Sequence, residues 1–84
     1  MREGEEKFYM YKMKKGTLAQ FIVNTPNVLV RVANRAKCDP SLINECHEKQ
    51  FNYHHPTIYE AKEDLELALK VVALDNCNFA ITAL

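Results

Sequence analysis

The sequence predicts a small α+β domain: a three-stranded antiparallel meander, open to a fourth strand from the C-terminal end, packed on one long and one short helix. Three observations predict it. Residues 57–74, TIYEAKEDLELALKVVAL, carry the pattern of an amphipathic helix. Three stretches within the first 34 residues are rich in β-branched and aromatic side chains and are separated by turn residues. The two turns, each identified from its own residues, place the same side chains on one face.

The long helix is read from both ends. Thr57 and Glu60 form a capping box, and His55-Pro56 stops the helix from extending upstream. Ile58, Ala61, Leu65, Ala68, Leu69 and Val72 make one apolar stripe, with Glu60, Glu63, Glu66 and Lys70 opposite. Leu67, Val71 and Leu74 widen the stripe, so the C-terminal end is expected to be the more buried.

Upstream, residues 7–13 (KFYMYKM) read as a strand, and Lys14-Lys15-Gly16 as a hairpin loop closing at positive φ. Residues 17–24 (TLAQFIVN) and 28–34 (VLVRVAN) follow as strands around a type I turn at Asn24-Thr25-Pro26-Asn27. That turn pairs Val23 with Val28, Phe21 with Val30 and Ala19 with Val32, and the loop at 14–16 pairs Met13 with Thr17, Tyr11 with Ala19 and Tyr9 with Phe21. All fall on one face, because side chains alternate along a strand. Asp39-Pro40 then caps a short helix to about residue 50, with Leu42, Ile43 and Cys46 inward. Residues 51–56 are a loop, and 78–84 a last strand.

Residues 17–24 also fit a short helix capped by Thr17, since Leu18, Phe21 and Ile22 lie at helical spacing. The order is then βαββαβ, the ferredoxin-like arrangement. In that frame KGTLAQ, residues 15–20, resembles the turn into the first helix of ACT-type ligand-binding domains. The resemblance covers six residues and implies a small-ligand regulatory domain stabilised by an amino acid.

Eighty-four residues make a single domain, residues 1–84, with a small core. No apolar run reaches the ~18 residues of a membrane span, and the beginning, MREGEEK, is acidic and polar where a signal peptide is basic and then apolar. Three cysteines without framework spacing favour a reducing compartment, so the expected location is cytoplasmic. Net charge is zero, yet residues 1–37 carry eight basic and three acidic side chains, and residues 38–84 three and eight. The expectation is that the two halves complement each other.

Motifs for catalysis are missing. Gly4 and Gly16 alone cannot build a phosphate-binding loop, and Ser41, the one serine, lies in a helix start. An enzyme is not expected, nor is a cofactor. Cys38, Cys46, His47, His54 and His55 are of zinc-ligand type, but no CxxC or HxxxH pair sets two on one turn, so free thiols and loop histidines are expected instead. The outer face of the meander is more informative. Its register sets Phe8, Ile22 and Leu29 side by side, with Met10, Arg31 and Lys12 beside them. An exposed apolar row of this kind marks an interface. The expected function is non-enzymatic protein binding through Phe8, Met10, Lys12, Ile22, Leu29 and Arg31, as a homodimer or as a small adaptor or inhibitor of a larger protein. The alternative is nucleic-acid binding by the basic N-terminal half, against which the balanced charge argues.

Overall fold

The computed structural model describes residues 1–84, and its regular secondary structure is almost all strand. In chain order these are β1 (Glu6–Met13), β2 (Leu18–Val23), β3 (Val28–Asn34), β4 (Lys49–Phe51), β5 (Thr57–Glu60), β6 (Leu65–Ala73) and β7 (Ile81–Ala83). One helical turn, α1 (Ile43–Cys46), follows the 3-10 turn Pro40–Leu42. The strands form two antiparallel sheets, β1-β6-β3-β4 and β5-β2-β7, whose inner faces share one apolar core. The architecture is therefore a β-sandwich, and the α+β class predicted from the sequence is corrected.

The long helix is the largest correction. Residues 57–74 form β5, a turn and β6. A period of two lies beneath the period of 3.6: Leu65, Leu67, Leu69, Val71 and Ala73 alternate with Glu66, Ala68, Lys70 and Val72. The first set faces the core, and β6 lies between β1 and β3 as a central strand. Its middle, Leu67–Val71, is buried on both faces, which is what a widening apolar stripe means in a strand.

The meander is corrected as well. β1 pairs with β6, from Glu6 opposite Val72 to Met13 opposite Leu65, and β3 pairs with the other edge of β6. β2 pairs with β5 and β7 in the other sheet, so Phe21 lies opposite Thr57 and Ala83 and not beside Val30 or Tyr9. The predicted turns do reverse the chain. Lys14 C=O accepts from Thr17 N–H at 3.1 Å, with Gly16 at φ +84°, the sign pattern of a type II turn. Each reversal carries the chain from one sheet to the other. Ala19, Phe21, Val23, Val28, Val30 and Val32 consequently share the core, as expected, but they face one another across the sandwich.

Because Leu18–Val23 is a strand, the ferredoxin-like order is excluded, and with it the helix on which the ACT-type resemblance depends. The expected C-terminal strand forms as β7 at the edge of the smaller sheet. The short helix ends early. Asp39 caps the 3-10 turn that precedes α1, accepting from the Ser41 N–H and hydroxyl at 2.9 Å each, and these bonds hold its carboxyl below the ordinary value. His47 is already extended, and Lys49–Phe51 pairs with β3. Ile43 is buried, whereas Leu42, expected inward, is exposed. Cys38 and Cys46, expected as free thiols, form a disulfide with Cα atoms 5.7 Å apart. It ties α1 to the loop after β3.

Phe21 is the centre of the core. It meets Tyr11 edge-on at 5.4 Å and stacks on Phe51 at 5.8 Å, bridging the two sheets. Phe21→Ala is expected to cost about 3–5 kcal/mol in urea unfolding, while Ile22→Ala, its neighbour on the outer face, costs about 1 kcal/mol or less. Equal losses at the two positions would contradict the sandwich.

Candidate functional site

The outer face of the four-stranded sheet is laid out by its register. Reading from β1 through β6 to β3, its rows are Glu6–Val72–Leu29, Phe8–Lys70–Arg31 and Met10–Ala68–Ala33, and then Lys12 opposite Glu66. Five of the six predicted contact residues, Phe8, Met10, Lys12, Leu29 and Arg31, therefore share one face. Ile22 does not. It lies on the outer face of the smaller sheet, because β6 occupies the place beside β1 and β3 that the meander gave to β2. There it shares a face with Leu18, Ile58 and Leu84, three exposed apolar residues, of which the sequence reading misses Ile58 and Leu84. Ile58 had been assigned to the stripe of a helix, which hid it.

α1 covers only the middle of the larger sheet's outer face, where Ile43 packs on Ala33, Ala68 and the Cys38–Cys46 disulfide. Phe8 and Met10 stay 48% and 47% exposed. Most charges on this face are already partnered, Lys12 being the exception. Lys70, nearly buried, forms an ion pair with Glu6 and donates to Asn44 Oδ1 at 3.0 Å. Arg31 Nη1 donates to the same oxygen at 3.2 Å, and Arg35 pairs with Glu66. Across the fold, Lys15 N–H donates to Asp64 Oδ1 at 2.8 Å. Contacts of this kind join the basic and acidic halves of the sequence.

β1 is the longer of the two free edges of this sheet, the other being β4. The Ala73 N–H donates to Glu5 C=O at 2.9 Å, and antiparallel hydrogen bonding alternates. The odd residues of β1 thus bond to β6, while the backbone groups of Glu6, Phe8, Met10 and Lys12 point away from the sheet and bond to nothing in the chain. On the inner side Tyr9 and Tyr11 line a cleft of about 530 Å³, between β1 and β7, whose lining residues are all of hydrophobic type; Phe79, Leu69 and Ile81 are among them. Tyr9 meets Phe79 edge-on at 6.2 Å. Tyr11 is half-buried, but Tyr9, expected in the core, is 42% exposed at the mouth of the cleft.

At the opposite side of the sandwich a second cleft, about 480 Å³, lies between β4 and β5. Tyr59 OH donates to Glu48 Oε2 at 3.0 Å, and Glu48 Oε1 accepts from Asn34 N–H at 3.3 Å. Burial above all, then the Glu48 hydrogen bond and charge, pushes the Tyr59 phenol up to about 12. A phenol at that value keeps its proton at neutral pH, so the pair acts as a strut from β5 to the end of β3. The zinc-type residues are not assembled. The disulfide occupies both thiols, His47 Nδ1 lies 3.0 Å from Ile43 C=O, and His54 and His55 sit in the exposed turn before β5. The disulfide also removes the argument from unpaired cysteines to a reducing compartment, since such bonds persist in oxidising surroundings. No helix is long and apolar enough to cross a membrane.

Protonated Tyr59 is favoured by the folded state, so its contribution is complete below the ordinary value of 10.0 and is lost as pH rises through about 12. Urea midpoints are expected to fall over that window, and Tyr59→Phe to reduce the fall. An unchanged slope in the variant would contradict the strut. No protein-family model matches the chain, and comparisons with characterised proteins and with solved structures likewise find no significant match.

Proposed function

We propose that this is a non-enzymatic protein-binding domain whose contact element is β1 with the adjoining outer face. One observation carries the reading: β1 is the one long unpaired edge of the sandwich. The other edges, β4, β5 and β7, are three or four residues long, and short edges are how β-proteins avoid unwanted pairing. β1 has eight residues. It shows apolar side chains on both faces, Phe8 and Met10 outward and Tyr9 toward the cleft, on either side of a row of unsatisfied backbone groups. Strand addition to such an edge draws affinity from main-chain hydrogen bonds and specificity from alternate side chains.

The nucleic-acid alternative has less to draw on. Lys70 and Arg35 are in ion pairs, Arg31 is bonded to Asn44, and the chain has no net charge to release counterions.

The experiment is affinity capture from extracts of the native host, comparing the wild-type chain with a Phe8→Lys/Met10→Lys variant. Both side chains are about half exposed, so the variant is expected to keep its urea midpoint while losing at least tenfold of the captured partner. A partner held equally by both forms overturns the reading.

A further inference from the structure

We infer that β1 pairs with β1 of a second copy, antiparallel about a two-fold axis at Tyr9, joining two four-stranded sheets into one continuous sheet. This rests on β1 being the contact strand and adds the identity of the partner. The inference comes from the strand's own sequence, Glu6-Lys7-Phe8-Tyr9-Met10-Tyr11-Lys12. In an antiparallel pair of identical strands the outward-facing residues must meet outward-facing residues, which restricts the register to steps of two.

With the axis at Tyr9, Glu6 lies opposite Lys12 of the second copy and Phe8 opposite its Met10. The first pairing sets opposite charges together. It completes a row of alternating sign, because Lys12 already lies opposite Glu66, which pairs with Arg35. The second pairing covers the two half-exposed apolar side chains with each other. All four residues with free backbone groups, Glu6, Phe8, Met10 and Lys12, find partners, giving about eight new hydrogen bonds.

Neighbouring registers do worse. An axis at Met10 puts Phe8 against Lys12, and an axis at Phe8 puts Glu6 against Met10 and leaves Lys12 beyond the strand. The central pairing alone matches both charge and hydrophobicity. It also brings the second copy's edge against the mouth of the apolar cleft, where Tyr9 is exposed.

Light scattering across a concentration series is expected to show a dimer of the wild-type chain. Met10→Pro removes an N–H that points away from β6, so it is expected to weaken dimerisation at least tenfold without breaking the β1–β6 ladder. In a Cys77→Ser background, Tyr9→Cys places two thiols across the axis in a non-hydrogen-bonded pair, Cα atoms about 4.5 Å apart, within disulfide reach. Mild oxidation is expected to link that dimer, and not one carrying Phe8→Cys or Met10→Cys. Preferential linking at either of those positions overturns the register, whatever the folding of the proline variant. A chain that stays monomeric throughout overturns self-pairing alone. The protein-binding reading would then stand or fall on whether Phe8→Lys/Met10→Lys loses its captured partner.

Discussion

The double burial of β6 is the constraint from which the rest of the fold follows. Its backbone bonds to β1 on one side and β3 on the other, its odd residues enter the core, and Ala68 is closed over by Ile43. Only one charge lies in its middle, Lys70, and it is held by Glu6 from β1 and Asn44 from α1. A buried ammonium without partners is costly, so this residue fixes where β1 and α1 may sit relative to the sheet. Neither β1 nor β3 has another partner long enough to complete the larger sheet. The strand that organises the molecule is thus supplied late in the chain, and β1 must wait for residues some sixty positions downstream. Pairing over such a distance makes for slow folding at a modest entropic cost.

What could be read from the sequence was parity, and what could not was neighbourhood. Ala19, Phe21, Val23, Val28, Val30 and Val32 are inward because alternation along a strand is local. Turn chemistry at Gly16 and Pro26 says that the chain reverses, but not whether it re-enters the same sheet or crosses to the other. A hairpin and an arch between sheets put the same side chains inside, so the agreement of the two turns was real evidence about faces and none about pairing. Five of the six expected contact residues stay on one face for the same reason. Phe8, Met10, Lys12, Leu29 and Arg31 keep their parity on strands of the same sheet, and Ile22 is lost because parity does not say which sheet carries it.

Residues 57–74 were ambiguous in a different way. Leu65, Leu69 and Val72 satisfy a helical period while Leu65, Leu67, Leu69 and Val71 satisfy a strand period, and the capping-box pattern of Thr57 and Glu60 tips the reading to helix. Within it, residues 61–64 form the link between β5 and β6. The disulfide was illegible for a tertiary reason. A separation of eight residues has no meaning until the turn after Asp39 folds Cys46 back to within 5.7 Å of Cys38.

One edge of this sandwich differs from the others. Three edges are too short to template a further strand. β1 is long because β6 is long, and β6 is long because it must span both β1 and β3 while burying Leu67, Leu69 and Val71. An extended edge is therefore a by-product of the core, and the fold needs some means of managing it. Here Lys7 and Lys12 are placed on the strand itself, the usual device against indiscriminate pairing. Lysine opposes every neutral or basic partner strand but favours one that offers a carboxylate at the matching position, which β1 does through Glu6. In the proposed self-pairing, Lys12 both keeps the edge from joining strands at random and selects a strand with a carboxylate opposite it, whereas Lys7, on the inner side, serves only the first purpose.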